Sequence, residues 1–458
     1  MEGDKKPRVS NLTKKILWAV VAVAAAAALF FAGYYTYYLS LGDGFRSLLW
    51  VKNMIQDEYY QEISDDDFWQ AAIDGAIAGL DQYSAYYTDE EYDTVTNENL
   101  GLRAGIGVSF FAGSNKISKV AIGSPVFFAQ QNTDLAGAWV TGVGGSESEI
   151  ADTFTSAALA KEMAKYGEGD TVVVRVSEKG ANDKDAATCR TLSVVSAAYH
   201  ESYVLYAGRT DDGQARAYAV IYGEDGEGAW TDVSAYTSAD EKVLAGQAYL
   251  RLVQFNGGAS DEFAQAAGQY KADGLHTLLL DLRNNGGGRL DILQRIAPYF
   301  IANTDDARAV IMRARYRSGE EAVSRAVGNK YGDYFAGSEI YVAANGNTAS
   351  ASEALIGAMV DYGAIGFEDI YITDTVQKEG YAAATYGKGI MQSTYVNTKT
   401  GEAIKLTTAQ IYWPNGRTIH DVGITVNDGA IASPAASFGE YGDAELESIF
   451  GYISARTA

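Results

Sequence analysis

The sequence predicts a multidomain α+β / α/β chain, on three observations. Residues 16–39 form an uncharged apolar and aromatic run. Between residues 100 and 197 the chain breaks into short strands bounded by glycine. From residue 248 onward strands alternate with helices, and residues 277–282, Thr-Leu-Leu-Leu-Asp-Leu, read as a strand buried on both faces. The 458 residues suffice for two or three domains, and 47% hydrophobic with 21% charged residues is a globular composition.

The N-terminal run is long enough to cross a bilayer. Twenty-four helical positions rise about 36 Å, against a hydrocarbon core of about 30 Å. Lys5, Lys6, Arg8, Lys14 and Lys15 precede it, which assigns residues 1–15 to a cytoplasmic tail and the remainder to the outside of a plasma membrane. Tyr34, Tyr35, Tyr37 and Tyr38 suit the far interface. A cleavable signal peptide is the rival, and its apolar region is usually shorter.

Residues 41–99 read as a small helical module. Leu48, Leu49, Val51, Ile55 and Tyr59 recur at helical spacing, and Phe68, Ala72, Ile73, Ala76, Ile77 and Leu80 form the expected buried stripe of a second helix begun by Ser64 or the aspartates after it. In residues 100–197, strands fit at 105–111, 117–122, 138–143 and 170–176, and helices at 124–131 and 153–165. Residues 198–247 read as a strand-rich connector, 248–430 as the α/β core, and 431–458 as a C-terminal helical tail.

The net charge of −23 argues against nucleic acid as a partner, because phosphate binding needs a basic face. Cys189 is the one cysteine, which excludes an intrachain disulfide and a cysteine metal cluster. His200, His276 and His420 have no ligand spacing. Neither a metal nor a cofactor is expected.

Three segments carry candidate chemistry. Residues 345–353, Asn-Gly-Asn-Thr-Ala-Ser-Ala-Ser-Glu, run from a strand into a helix. Ser350 and Ser352 can cap that helix, or a serine can be held exposed beside unpaired N–H groups that suit a developing oxyanion. Residues 281–291, Asp-Leu-Arg-Asn-Asn-Gly-Gly-Gly-Arg-Leu-Asp, form either a tight turn or a loop that aims N–H groups at an anion. No Gly-Lys-Ser/Thr follows, so a P-loop is unsupported. Lys388 stands between Gly387 and Gly389. It is either a solvated loop residue or, where water is scarce, an amine able to deprotonate a serine, with Gln392 to orient it.

These segments resemble the carboxyl-terminal processing proteases, or tail-specific proteases, of the Ser-Lys type with a PDZ domain. Residues 80–88 (Leu-Asp-Gln-Tyr-Ser-Ala-Tyr-Tyr-Thr), 249–255, 281–288, 348–353, 386–392, and the closing segments 406–409, 414–419 and 423–424 are similar to family motifs and occur in the family's order. The resemblance implies a membrane-anchored extracytoplasmic serine endopeptidase acting near protein C-termini. It makes Ser350 the nucleophile, Lys388 the general base and Gln392 its orienting residue. Ala351 with Gly287 or Gly288 would form the oxyanion hole, Ser352 and Glu353 would begin the helix, and Asp281, Arg283 and Asn284 would be structural. Residues 100–197 would be a PDZ-like domain whose peptide-binding loop is Gly105, Ile106, Gly107 and Val108. His420 is read as surface or core. Partners would be substrate C-termini and the membrane, and self-association stays open.

The sequence departs from the family pattern in three places. Gly286 replaces a proline. Lys388 follows Ser350 by 38 positions, a wider spacing than the family's, with the excess near residues 367–381 read as a surface hairpin at the sheet edge. Residues 129–137 replace the usual turns of the β-rich module. An alternative is a catalytically inactive peptide-binding scaffold of the same fold.

Overall fold

The computed structural model describes residues 11–131, 134–223, 225–301, 308–328, 334–373, 383–432 and 444–457. The chain divides into two compact units, residues 1–82 and 83–458.

The first unit holds helices α1 (Asn11–Ser40), α2 (Asp43–Glu58) and α3 (Asp65–Ala78). Residues 14–40 of α1 contain an 18-residue window with a mean hydropathy of 2.4 and are long and apolar enough to cross a membrane. Ser64 caps α3 by accepting the Asp67 N–H at 3.1 Å. Of the expected stripe, Phe68 is buried, Ala72, Ile73 and Ile77 are half-buried, and Ala76 and Leu80, the latter beyond the end of α3, are exposed.

The second unit begins earlier than the sequence suggests, with β1 (Ala85–Tyr87) and α4 (Asp89–Asn99). Thr88 and Glu91 close a reciprocal capping box at the start of α4. A β-rich module follows: β2 (Leu102–Gly105), β3 (Val108–Phe110), β4 (Ile117–Val120), α5 (Pro125–Ala129), β5 (Trp139–Gly144), β6 (Ala151–Asp152), α6 (Ser156–Met163), β7 (Thr171–Ser177), β8 (Cys189–Val195) and β9 (Ala197–His200). It has its own core, built from Ile117, Val140, Leu159, Val174 and their neighbours. Ile106 lies in that core, so its side chain does not line a groove.

The main sheet has eight strands. In chain order they are β10 (Val204–Arg209), β11 (Ala215–Tyr222), β12 (Gly228–Asp232), then, after α7 (Ala239–Lys242), β13 (Gln247–Leu252). After α8 (Ala259–Ala272) comes β14 (Thr277–Asp281), and α9 (Leu290–Ile296) follows. An antiparallel pair, β15 (Val310–Tyr316) and β16 (Glu321–Arg325), intervenes before β17 (Glu339–Asn345) and α10 (Ala351–Asp361). The remaining elements are β18 (Ile370–Thr373), β19 (Ile390–Val396), β20 (Ala403–Tyr412), β21 (Ile431–Ala432) and α11 (Ala444–Thr457).

The spatial order is β12-β11-β10-β13-β14-β17-β18-β21. From β13 onward all neighbours are parallel, with Leu250 opposite Leu280 and Leu280 opposite Val342. Leu278 and Leu280 face α8, α9 and α10, while Leu279 faces Leu446 and Phe450 of α11. Burial on both faces explains the unbroken apolar run of β14. A second sheet, β1-β20-β15-β16, carries β19 on β20.

Three expectations change. Residues 198–247 are not a connector, because β10, β11 and β12 form the antiparallel part of the main sheet. The C-terminal tail is helical at α11 as expected, but it belongs to the folded core, because β21 extends that sheet and Leu446, Ile449, Phe450 and Ile453 are buried. Residues 370–373 are no edge hairpin: they form a fully buried strand between β17 and β21. Residues 374–381 of the expected hairpin lie outside the described residues.

Candidate active site

The site forms where the parallel strands β14 and β17 end at their C-terminal edges, the customary ligand-binding edge of such sheets. Asparagine side chains stitch the two strand ends together. Asn345 Oδ1 accepts the Asn284 N–H at 3.0 Å, and the Asn345 and Asn347 amides both donate to Asn284 Oδ1. Thr348 Oγ1 donates to the Leu282 carbonyl at 2.8 Å. Asn285 donates to the Leu252 carbonyl, joining β13 to the same knot. Asn284 adopts a φ of 60°, which asparagine tolerates better than most residues.

Ser350 sits at the tip of the β17–α10 turn with φ 57° and ψ −115°. This is a strained conformation for a side chain with a Cβ, and it persists only because the surroundings impose it. Gly287 lies directly beneath: a Cβ there would stand 2.8 Å from both Ser350 Cβ and the Ala351 nitrogen. Only glycine permits that approach. Asn285 accepts from Ala349 N–H and from Ser352 Oγ through its carbonyl, both at 3.0 Å. Ser352 is therefore a fully buried tether between α10 and the glycine loop rather than a cap.

The expected oxyanion donors separate. Gly287 N–H is taken by Asn285 Oδ1 at 2.9 Å, so Gly287 is not available. Gly288, at φ 142°, and Ala351, the first residue of α10, have N–H groups with no hydrogen bond among the described residues.

Glu353 is the residue whose importance the sequence hid. Its side chain is fully buried. Its Oε2 accepts Ser350 N–H at 2.9 Å and Lys388 N–H at 3.0 Å, and its Oε1 accepts Thr385 Oγ1 at 2.6 Å and Gly387 N–H at 2.8 Å. One carboxylate thus fastens the serine turn to the lysine loop. Burial pushes its carboxyl above the usual range, against the pull of those four donors. From sequence, a glutamate three residues into a helix reads only as capping chemistry. The lysine loop has further anchors in Tyr386 N–H to the Thr348 carbonyl and Asp421 N–H to the Gly387 carbonyl, both at 2.9 Å.

Ser350, Lys388, Gln392, Gly286 and Gly288 line one cleft of about 680 Å³, together with residues of α4 and β19. The wide spacing between Ser350 and Lys388 does not keep the lysine out of the cleft. Gln392 donates through Nε2 to Thr407 Oγ1 at 3.0 Å. His420 is half-buried behind Gly389, where a Cβ would meet the His420 backbone nitrogen at 2.7 Å. Asp281 and Arg283 are structural: the Arg283 guanidinium donates twice to Asp281 and once to Glu445 of α11, all three side chains buried, and the Arg283 N–H and the Tyr249 hydroxyl also donate to Asp281. His, Cys, Asp and Glu groups able to hold a metal ion are absent among the described residues.

Residues 246–428 match the model of Peptidase family S41. A CtpA-like serine protease of Staphylococcus saprophyticus is 27% identical over 398 residues, covering 86% of this chain and 66% of that protein. One from Staphylococcus aureus is 25% identical over 381 residues, covering 82% and 62%. The chain thus spans slightly less than two thirds of the length of these relatives. A Bacteroides fragilis protein assigned to the S41 proteases has a crystal structure similar in fold, with a TM-score of 0.50 at 14% identity, covering 89% of this chain and 97% of that one. The photosystem II D1 C-terminal processing protease aligns with a TM-score of 0.46 at 18% identity, over 82% of this chain and 85% of that chain.

Proposed function

We propose that this chain, whose residues 246–428 match the model of Peptidase family S41, is a membrane-anchored, extracytoplasmic serine endopeptidase that cleaves near the C-termini of proteins through a Ser350–Lys388 dyad. The observation that carries this reading is the strained Ser350 turn fastened by Glu353 to the loop of Lys388, with both residues on one cleft.

In the first step Ser350 Oγ attacks the scissile carbonyl carbon while its proton passes to the neutral Nζ of Lys388. Negative charge moves to the carbonyl oxygen, where the N–H groups of Ala351 and Gly288 stabilise it; losing one such donor typically costs about 2.7–4 kcal/mol. Collapse breaks the C–N bond, and the Lys388 ammonium returns the proton to the leaving nitrogen. Water then attacks the acyl carbon while Lys388 again accepts a proton; the ester C–O bond breaks, the Lys388 ammonium returns that proton to Ser350 Oγ, and the new carboxylic acid releases its own proton as it leaves. Gln392 supports the lysine side of the cleft.

The β-rich module acts as a PDZ-like domain, with the Gly105–Val108 segment offering backbone to an extended substrate tail. Helix α1 is the anchor, with the N-terminus cytoplasmic and the catalytic part outside the plasma membrane of a bacterium.

Proteolysis of an unfolded substrate with an apolar C-terminal tail tests the reading. Ser350→Ala and Lys388→Ala should each abolish Ser350-dependent cleavage, and wild-type turnover in either variant would refute the dyad.

A further inference from the structure

We infer that Tyr83 is a positioning residue for Lys388: its ring face holds the lysine in the cleft and stabilises the ammonium formed when the lysine takes the serine proton. This inference rests on the dyad reading above. Lys388 Nζ lies 4.6 Å from the centroid of the Tyr83 ring, within cation–π range. The Tyr83 hydroxyl is hydrogen-bonded to the Tyr386 hydroxyl at 2.9 Å. Tyr386 is two residues before Lys388, and its N–H is the one bonded to the Thr348 carbonyl, two residues before Ser350.

The backbone behind the ring is fixed too. Ser84 Oγ accepts the Thr407 N–H at 3.3 Å, and Ala85 pairs with Lys405 on β20. On its other side β20 pairs with β19, the strand that follows the lysine. Ring, amine and serine turn are therefore held by separate tethers to a common frame. A phenylalanine would supply the ring face but not the hydroxyl anchor.

The chemistry gives the ring a definite sign. In the attack, the Ser350 O–H bond breaks and an N–H bond forms on Nζ, so the amine becomes a cation. The negative face of an aromatic ring attracts that cation and not the neutral amine. The ring therefore raises the proton affinity of the base, and it places the acid limb of the rate profile higher than it would otherwise lie.

Other charges also face the lysine. Glu353 sits behind its backbone N–H and favours the ammonium. Arg289, paired with Asp291, and Lys405 line the same cleft, and Arg289 and Lys405 disfavour it. Tyr386, Tyr87 and Tyr92 stand close by, and His420 with Asp421 backs Gly389 and Gly387. Of these groups Tyr386 is bonded to Tyr83 and loses that bond in both Tyr83→Leu and Tyr83→Phe, so the difference between the two variants isolates the ring's effect.

The experiment uses the full chain in detergent micelles. Two midpoints are measured across pH: the acid limb of kcat/KM, and the trace acetylation of Lys388 by acetic anhydride, read by peptide mass spectrometry. Tyr83→Leu should move both midpoints down by about half to one pH unit. Tyr83→Phe should leave both within about 0.2 units while lowering kcat through the lost anchor. A Leu midpoint that does not move, or a Phe midpoint that moves as far as Leu, would overturn the inference. The acetylation midpoint is read without any turnover. If Ser350→Ala kept its activity, the dyad reading would fall while the Tyr83 contact remained measurable.

Discussion

Two buried carboxylates in the second unit are built alike and placed differently. Glu353 and Glu262 are each almost wholly inaccessible, and each accepts four hydrogen bonds. Glu353 distributes them evenly: two donors per oxygen, drawn from the serine turn and the lysine loop. Glu262, on α8, takes Ser202 Oγ, Tyr203 N–H and Val204 N–H on Oε2, and only the Tyr222 hydroxyl on Oε1. The first joins two loops that carry chemistry. The second joins a helix to the entry of β10, far in sequence from Ser350 and Lys388. The same device fixes catalytic geometry in one place and ordinary packing in the other.

Substitution by glutamine should separate them most sharply. At residue 353 the new NH2 must face two donors whichever way the amide turns, so two bonds are lost and two buried donors are left unpaired, at about 1–3 kcal/mol each. Glu353→Gln should therefore lower kcat/KM on the order of 100-fold, with a clear loss of thermal stability. At residue 262 the amide oxygen can keep the three donors while the NH2 donates to the Tyr222 oxygen. Glu262→Gln should stay within a few-fold of wild type. Equal losses at the two positions would erase the distinction.

A smaller effect is expected behind the serine. A Cβ on Gly357 of α10 would run into the indole of Trp413, which is buried in the main core. Gly357→Ala should cost about 1–3 kcal/mol of stability through overpacking, read as a lowered denaturation midpoint. It should also reduce turnover, because α10 carries Ser350.

The last effect is a pH dependence. Burial pushes the Glu262 carboxyl up to about 7 from 4.5, despite its four donors. The folded state therefore holds a proton that the unfolded chain releases. The stability this group contributes is fully present below 4.5 and is lost as pH rises through about 7. The denaturant midpoint of the wild type should thus fall more between pH 4.5 and 7 than that of Glu262→Gln, whose amide does not titrate.

Much of this contrast was hidden in the sequence, and the reasons are physical. The alternation of buried strands and helices was legible because periodicity is local. So was the glycine loop, because Gly287 and Gly288 stand where backbone must approach backbone. Ser350 and Lys388 were legible as residue types in suggestive turns, and both line the cleft. Glu353 was not, because its partners at 385, 387 and 388 lie more than thirty residues away. The pairing of β10 with β13 was missed for the same reason, since the strands that meet are separated in the chain by two others. The choice between Gly287 and Gly288 stayed open in the sequence because nothing local announces that the Asn285 side chain takes the Gly287 N–H.

The most direct measurement is a double-mutant cycle on kcat/KM with Ser350→Ala, Lys388→Ala and the pair combined. A dyad joined through Glu353 acts as one unit, so either single change should cost nearly as much as both together. Losses that multiply, or a single variant that retains wild-type turnover, would contradict it.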